Sequence, residues 1–190
     1  MNRLGFGRLH TTGLTSMTGK ALEMAQSLTP KVQGNFTIAL CGDRGTGKTQ
    51  IATYLAAQIP VSCNSIGWES IAHARVPRYF CAHDLMQAIR GEFSGIREQC
   101  LAATQILSEA KLCALLVIDE FSELTGSDYN KRTLTNLIDA RYRDMRPTII
   151  ITNTNPEAVG GEVGRSIYDR CCESGGVVDC SWSSYRTKPN

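Results

Sequence analysis

The sequence predicts an α/β fold in which a parallel five-stranded sheet is flanked by helices. Residues 112–118 form an uninterrupted apolar run, typical of a strand that is buried on both faces, and residues 147–152 form a further run of this kind. A third run, residues 35–41, leads into a glycine-rich turn and then into a helical pattern. Shorter strand patterns at 78–82 and 177–182 complete an alternation of strands and helices.

Helices are expected between these strands, where apolar residues recur at helical spacing. The predicted helices are 15–28, ended by Pro30, then 50–59, a helix capped by His83 and Asp84, 96–110 after a break at Gly95, 127–145 capped by Ser127, and 162–172. Residues 60–77 are poorly patterned. We expect an N-terminal arm and helix over residues 1–33, one folded core over 34–186 and a tail over 187–190.

Composition describes an ordinary globular protein. The 190 residues are 42% hydrophobic and 20% charged, and the net charge of +2 neither indicates nor excludes nucleic-acid binding. No apolar run approaches the roughly 18–20 residues of a membrane span, and the first residues lack the apolar core of a signal peptide. We therefore expect a cytoplasmic protein with no membrane partner.

Eight cysteines are many for this length. They form no C-x-x-C pair and have no nearby histidine at zinc-finger spacing. Cys41, Cys81 and Cys113 lie in apolar runs, where cysteine behaves as a small hydrophobe. The adjacent Cys171 and Cys172 leave redox or metal chemistry open, but we favour reduced thiols.

The glycine-rich turn after the first strand fits G-x-x-x-x-G-K-[ST], the phosphate-binding P-loop. Its glycines allow successive backbone N–H groups to face one point at a helix N-terminus, which forms an anion-binding nest. Lys48 adds a positive charge for the β- and γ-phosphates, and the Thr49 hydroxyl can bind Mg²⁺. The candidate nucleotide-binding residues are Gly42, Asp43, Arg44, Gly45, Thr46, Gly47, Lys48, Thr49 and the following Gln50. The loop predicts binding of a nucleoside triphosphate.

Polar residues follow two other strands of the predicted sheet. Asp119 and Glu120 come directly after the run 112–118, and Asn153 follows the run 147–152. Ligands collect at the carboxyl ends of parallel strands, so these side chains are expected beside the P-loop. Asp119 can hold Mg²⁺ and Glu120 can orient or deprotonate an attacking water, while Asn153 can position that water or contact the γ-phosphate. Two other interpretations stay open: acids that cap the next helix, and an asparagine that ends a strand by turn chemistry.

Taken together, these motifs resemble the AAA+ ATPases, and more narrowly the DnaC-type replicative helicase loaders, over about residues 34–186. The matching segments are 42–49 as Walker A, 115–120 as Walker B, Asn153 as sensor 1, Arg146-Pro147-Thr148, Thr152-Asn153-Thr154-Asn155, Tyr168-Asp169-Arg170 and Trp182-Ser183-Ser184-Tyr185-Arg186. The IstB-like transposition ATPases are similar and also end near Ser-Tyr-Arg. Trp182 and the Arg-Pro-Thr entry to the strand look more like the loaders.

The resemblance implies ATP or ADP and Mg²⁺ as cofactors, and self-association into a ring or spiral in which a neighbour's arginine completes each site. Arg170 matches the family's arginine finger, and Arg165 lies one position from a second arginine of the family. Five residues apart on a helix they point about 140° from each other, and we favour Arg170. The alternative is that Asp169 and Arg170 form a surface ion pair. Arg186 resembles a terminal arginine with a sensor-2-like role.

The resemblance also implies a hexameric replicative helicase and single-stranded DNA as partners. From these residues we expect two departures from the family: a short segment before the first strand, where loaders carry a helicase-docking domain, and no helical lid. The first would mean docking through a shorter arm, or a truncated or divergent member. For DNA, Arg90, Phe93 and Arg97 are candidates, but we favour a solvated amphipathic helix, because neighbouring acidic residues offset the positive charges. A more basic stretch contains Lys131, Arg132, Arg141, Arg143 and Arg146.

The sequence thus predicts a slow, oligomer-dependent ATPase that acts as a helicase loader, with catalytic residues Lys48, Glu120, Asn153 and Arg170 and with Thr49 and Asp119 holding Mg²⁺. An IstB-like transposition regulator, which would bind duplex DNA and a transposase, is the alternative. A small-molecule P-loop kinase is disfavoured, because the span for its lid is missing and the residue set Asp119, Glu120, Asn153 and Arg170 would go unexplained.

Overall fold

A computed structural model of the chain describes residues 17–59, 76–91, 95–123 and 128–186. The elements, in order, are α1 (Gly19–Leu28), β1 (Thr37–Cys41), α2 (Lys48–Ala57), β2 (Pro77–Cys81), α3 (Ala82–Arg90), α4 (Arg97–Leu112), β3 (Leu115–Asp119), α5 (Asp128–Arg143), β4 (Thr148–Ile151), α6 (Val159–Val163), α7 (Arg165–Ser174) and β5 (Gly176–Asp179). Short 3₁₀ turns follow α1 at Thr29–Gln33 and β3 at Phe121–Glu123.

The five strands form one parallel sheet in the order β2-β3-β4-β1-β5. This confirms the predicted α/β fold and its parallel five-stranded sheet. β4 lies between β1 and β3, so the P-loop, which follows β1, is separated by one strand from the acids that follow β3. The carboxyl ends of all three strands therefore meet at one edge of the sheet.

Each face of the sheet carries its own apolar cluster, and alternate residues of a strand enter opposite clusters. In β1, Ile38 and Leu40 pack in the cluster that contains α1 and α2, whereas Ala39 and Cys41 pack in the cluster that contains α3, α5 and α7. β1 and β3 are buried along their whole lengths. A strand buried on both faces explains the uninterrupted apolar runs in the sequence.

Several predicted boundaries are wrong, and the largest error concerns β3. Residues 112–114 were expected in the strand, but α4 continues to Leu112 and the Cys113 amide donates to the carbonyl of Glu109 at 2.9 Å. Ile96, the first residue of the predicted helix, is the N-cap of α4 and is 53% exposed. The predicted helix 162–172 is divided into α6 and α7 at Gly164, whose φ of 90° suits glycine.

Three smaller predictions also differ from the structure. The first helix begins at Gly19, within the described residues, and α3 has Cys81 rather than His83 or Asp84 at its N-cap. β5 ends at Asp179, three residues earlier than expected. Ser127, the predicted cap of α5, lies outside the described residues, as does Phe93.

Arg141, in the last turn of α5, is fully buried. The sequence had placed it in a basic stretch suited to DNA or to solvent, and that interpretation is wrong for this residue. Its guanidinium donates to Thr148 Oγ1 at 3.0 Å, to the carbonyls of Ala110, Lys111 and Cys113 at 2.9, 3.0 and 3.0 Å, and to the carbonyl of Pro147 at 2.5 Å. Arg141 therefore joins the end of α4 to the entry of β4.

The described cysteines are all free thiols. Burial raises the pKa of Cys41 to about 11 and the pKa of Cys171 and of Cys180 to about 12, so these thiols stay protonated at neutral pH. Across the described ranges, no group of three or more His, Cys, Asp and Glu side chains is placed to hold a metal ion, and no helix is long and apolar enough to cross a membrane.

Candidate nucleotide-binding site

A cavity of about 570 Å³ opens at the edge of the sheet where β1, β3 and β4 end. The P-loop, the end of β3 and the end of β4 all contribute to its wall. Its lining comprises Arg44, Gly45, Gly47, Lys48, Thr49, Gln50, Asp119, Glu120, Ile151, Asn153, Tyr185 and Arg186. The cavity thus brings together most of the residues that the sequence nominated, from four separate parts of the chain.

The P-loop curls from β1 into the N-terminus of α2. Gly45 and Gly47 have φ values of 84° and 89°, in the left-handed region that glycine adopts without strain. Gly42, Asp43 and Thr46 do not line the cavity but support the loop: the Gly42 amide donates to the carbonyl of Thr154 at 2.9 Å, and the Thr46 hydroxyl donates to the carbonyl of Asp43 at 3.0 Å. The arrangement presents backbone N–H groups and a helix N-terminus to the cavity, as an anion site requires.

Lys48 is buried apart from the part of its side chain that reaches the cavity. Its ammonium donates to the carbonyls of Gly42 and Asp43 at 2.7 and 2.6 Å. Burial lowers the pKa of Lys48, while Asp119 and Asp43 act in the opposite direction. A buried ammonium at the start of a helix is a strong electrostatic partner for phosphate oxygens.

Asp119 is 6% exposed and accepts three hydrogen bonds. Its Oδ2 accepts from Thr49 Oγ1 at 2.7 Å and from Tyr79 Oη at 2.8 Å, and its Oδ1 accepts from the Glu120 amide at 2.7 Å. Thr49 and Asp119 thus place a hydroxyl and a carboxylate side by side at the cavity wall. These are oxygen ligands of the kind Mg²⁺ prefers, and Mg²⁺ commonly takes its remaining ligands from nucleotide phosphates and water, so the residues present fit this ion.

Glu120 is exposed at the cavity and has an unusual backbone, with a φ of 57°. A left-handed conformation is uncommon for a residue with a side chain and is typical of functional sites. The Cys81 thiol donates to Glu120 Oε2 at 3.2 Å. A solvent-facing carboxylate beside Asp119 can orient or deprotonate a water molecule in the cavity.

Asn153 lines the same cavity from the end of β4. The neighbouring Thr152 is buried, and its hydroxyl donates to the carboxylate of Glu162, which fixes the backbone as β4 ends. Because β4 lies between β1 and β3, Asn153 is located between the P-loop strand and the Asp119 strand, as predicted. Its amide is available to a ligand as both donor and acceptor.

Residues 180–186, which we call the C-terminal strap, lie across the outside of the P-loop. Trp182 Nε1 donates to the carbonyl of Thr46 and the Tyr185 amide donates to the carbonyl of Gly45, both at 2.9 Å. Tyr185 Oη contacts the first turn of α1, accepting from the Ala21 amide at 3.3 Å. Within the described residues the strap follows β5 directly, and it brings Arg186 into the cavity wall.

The two candidate finger arginines lie on α7, away from the cavity. Arg170 donates to Asp139 at 3.3 Å, and its guanidinium lies 4.6 Å from the centre of the Tyr142 ring. Arg165 pairs with Asp169 at 3.1 Å and its side chain is 86% exposed. The Asp169–Arg170 ion pair considered from the sequence is therefore wrong, because each residue has a different partner.

The candidate DNA contacts are only partly described. The guanidinium of Arg90 donates to Asn130 Oδ1 at 2.9 Å, which ties α3 to α5. Lys131, Arg132 and Arg143 are exposed on α5. Arg146 donates to the carbonyl of Leu112 at 2.5 Å. The basic stretch is therefore divided between solvent-facing side chains and structural ones.

Sequence reasoning missed three residues at this site: Tyr79, Cys81 and Tyr185. Tyr79 and Cys81 lie on β2, and both reach the acids that follow β3. Their side chains lie on one face of the strand because they are two residues apart. Only the pairing of β2 with β3 reveals them, since nothing in a short strand pattern indicates which of its side chains meets an acid on the neighbouring strand. Tyr185 belonged to a recognised motif, but the sequence assigned it no role.

Comparisons with known proteins agree with this geometry. A family model described as AAA domain matches residues 33–157. The chain is 28% identical over 172 residues to the replicative helicase loader DnaC of Escherichia coli K12; the match covers 88% of this chain and 64% of that protein. It is 27% identical over 146 residues to DnaC of Buchnera aphidicola subsp. Acyrthosiphon pisum, a match that covers 76% of this chain and 54% of that relative.

Among solved structures, the crystal structure of the DnaC helicase loader superposes with a TM-score of 0.66 at 17% identity, over 91% of this chain and 99% of that one. The replication initiator DnaA, bound to AMPPCP and single-stranded DNA, superposes with a TM-score of 0.63 at 18% identity, over 90% of this chain and 50% of that one. At these identities the likeness shows the fold. The family model, however, covers well over half of the chain, and the chain therefore belongs to the AAA domain family, which implies ATP binding and hydrolysis.

Proposed function

We propose that this chain is the ATPase of a DnaC-like replicative helicase loader, which binds and hydrolyses ATP slowly while it engages a hexameric helicase and single-stranded DNA. The ATPase part of the proposal is supported by one observation: a single cavity is lined by Lys48, Thr49, Asp119, Glu120 and Asn153. The similarity to DnaC over most of this chain supports the loader part.

Each residue of the site has a role in this proposal. Lys48 and the N-terminus of α2 bind the phosphates, and Arg44, Gln50 and Arg186 hold the nucleotide from the outer wall. Thr49 and Asp119 would hold Mg²⁺, which neutralises charge on the β- and γ-phosphates. Glu120 takes the proton of the attacking water, and Asn153 positions that water against the γ-phosphate.

Replacing Glu120 by glutamine tests whether Glu120 is needed for ATP hydrolysis but not for ATP binding. Glutamine keeps the shape of the side chain but cannot take a proton, so we expect unchanged ATP affinity and a loss of turnover of about 100-fold or more. The measurement is the mass of complexes formed with a hexameric replicative helicase, with and without ATP and single-stranded DNA. The variant is expected to accumulate the ATP-dependent complex.

The matched control is Glu109→Gln, because Glu109 lies on α4 outside the cavity wall, where it pairs with Arg78. It should leave turnover unchanged. If the wild-type protein hydrolyses ATP but neither it nor the Glu120 variant forms a helicase complex under any condition, the loader assignment is wrong. Binding to duplex DNA and a transposase would then favour the IstB-like alternative.

The proposal includes a ring or spiral in which a neighbour's arginine reaches the γ-phosphate. For Arg170 this requires release of Asp139, of Glu173 and of the Tyr142 ring, whereas Arg165 pairs with Asp169 in the part of the chain that the structure describes. Since a trans-acting residue and its site belong to different subunits, mixing a finger variant with a Lys48→Ala variant should restore hydrolysis.

We expect Arg170→Ala to lower hydrolysis while it leaves ATP binding by the isolated subunit intact, and the mixture with Lys48→Ala to recover part of the activity. Arg165→Ala is the comparison, because it lies on the same helix and faces about 140° away. Recovery with Arg165→Ala alone would assign the finger to that residue. No recovery with either variant would argue against a finger on α7.

A further inference from the structure

Strand β2 places a tyrosine hydroxyl on the acid that faces the nucleotide cavity. Tyr79 Oη donates to Asp119 Oδ2 at 2.8 Å, although β2 itself contributes nothing to the cavity wall. The contact follows from the sheet register, in which Tyr79 lies opposite Val117 and Cys81 lies opposite Asp119. A tyrosine two residues before the end of β2 therefore has the reach to meet a carboxylate at the end of β3.

The hydrogen bonds to Asp119 fix the orientation of its carboxylate. Oδ2 accepts from Thr49 and Tyr79, and Oδ1 accepts from the Glu120 amide. An ionised carboxylate offers about four acceptor positions, so these three bonds leave about one for a further ligand. Thr49 belongs to the P-loop motif and lies in the first turn of α2, and the Glu120 amide is part of a turn with a left-handed backbone. Tyr79 is the one donor of the three that comes from a neighbouring strand of the sheet.

Tyr79 is well placed to hold a fixed position. Its ring packs against the apolar cluster that contains α1 and α2, and from there its hydroxyl donates to Asp119. A side chain anchored by packing loses little rotamer freedom when it makes a hydrogen bond. Groups of this kind, which orient a metal ligand without contacting the metal, affect metal affinity strongly.

We propose that Tyr79 is a positioning residue, which holds the Asp119 carboxylate in the orientation that accepts a divalent cation beside Thr49. The inference rests on the proposed ATPase function, because it concerns the same site. It assigns Tyr79 no contact with the nucleotide or with the cation. Its consequence is that Tyr79 sets the Mg²⁺ dependence of nucleotide binding without changing the metal-free affinity.

The test uses Tyr79→Phe in the full chain, which removes the hydroxyl and keeps the ring. Binding of a fluorescent ADP is measured in EDTA and over a titration of Mg²⁺. We expect the affinity in EDTA to be unchanged and the Mg²⁺ concentration for half-maximal enhancement of binding to rise about 10-fold or more. Mn²⁺ in place of Mg²⁺, followed by its electron paramagnetic resonance signal, reports the bound cation directly and should show the same shift.

Tyr54→Phe is the matched control, since Tyr54 packs against the same apolar cluster and does not line the cavity. It should leave the Mg²⁺ titration unchanged. A double-mutant cycle with Asp119→Asn separates positioning from general packing: if Tyr79 acts through Asp119, the effect of Tyr79→Phe on Mn²⁺ affinity should disappear in the Asp119→Asn background.

Three outcomes distinguish a failure of the proposed role of Tyr79 from a failure of the proposed ATPase function. An unchanged Mg²⁺ titration of Tyr79→Phe, with normal nucleotide binding by the wild-type chain, overturns the role of Tyr79 alone. The same holds if the variant loses affinity equally in EDTA and in Mg²⁺. Wild-type protein that binds no nucleotide, or binds it without any influence of Mg²⁺, overturns the proposed function and this inference together.

Discussion

Nucleotide affinity is expected to fall by about 100-fold or more, equal to at least about 2.7 kcal/mol, when Lys48 is replaced by alanine. The Lys48 ammonium is buried at the N-terminus of α2 and has no competing carboxylate in hydrogen-bond contact, since its described partners are the carbonyls of Gly42 and Asp43. Its loss removes the full positive charge at the point where the backbone N–H groups converge. Isothermal titration calorimetry with ATP and ADP measures the change.

The control for this substitution is Lys111→Ala, an exposed lysine at the end of α4. It should change affinity little, because an exposed charge distant from the cavity is screened by solvent. Thermal unfolding of both variants checks that the fold survives. An ATP affinity of Lys48→Ala equal to that of the wild type would contradict the P-loop assignment.

The second large effect concerns stability. Replacing Arg141 by leucine is expected to lower the free energy of unfolding by about 3 kcal/mol or more, because several buried main-chain carbonyls lose their donor and each unpaired one costs about 1–3 kcal/mol. Leucine avoids the cost of burying a charged group. The backbone carbonyls stay in place, however, and lose the hydrogen bonds that Arg141 donated to them. Urea unfolding followed by circular dichroism gives the difference.

Arg143→Leu is the matched comparison, since Arg143 lies two residues further along α5, at its last position, and is exposed. Its effect should stay within about 0.5 kcal/mol, as for most surface substitutions. Arg141→Lys keeps the charge but has fewer donors and a different geometry, so an intermediate loss is expected. Equal effects of the Arg141 and Arg143 leucine variants would show that the hydrogen bonds of Arg141 contribute little to stability.

The nucleotide cavity was largely predictable because its motifs are contiguous in sequence. A P-loop is defined by glycine and lysine spacing within eight residues, and Asp119 and Glu120 stand directly after a buried apolar run. Once the strands are parallel, the rules for α/β sheets bring their carboxyl ends together. The placement of Asn153 followed from the same rule.

Other features depend on contacts between segments distant in sequence, and these were not predictable. The buried guanidinium of Arg141 is satisfied by the carbonyls of residues 110, 111, 113 and 147, which no local pattern connects to an arginine on α5. The end of α4 was missed because an apolar run has the same composition in a buried helix end and in a buried strand. The alternative Asp169–Arg170 ion pair is not formed, because Arg170 reaches Asp139 on α5 and Asp169 pairs with Arg165.

The C-terminal strap contacts two parts of the chain that are distant from it in sequence, the P-loop and the first turn of α1. Through Tyr185 the carbonyl of Gly45 in the P-loop is joined to the first turn of α1, and a Cβ at Gly47 would lie 3.2 Å from the Cβ of Ala21. Opening of α1 therefore disturbs the loop that carries the phosphate-binding groups. By thermodynamic linkage, a ligand present at 100 times its dissociation constant adds about 2.7 kcal/mol to any opening that abolishes its site. A nucleotide bound at the P-loop is therefore expected to make local unfolding of α1 rarer, although α1 does not line the cavity.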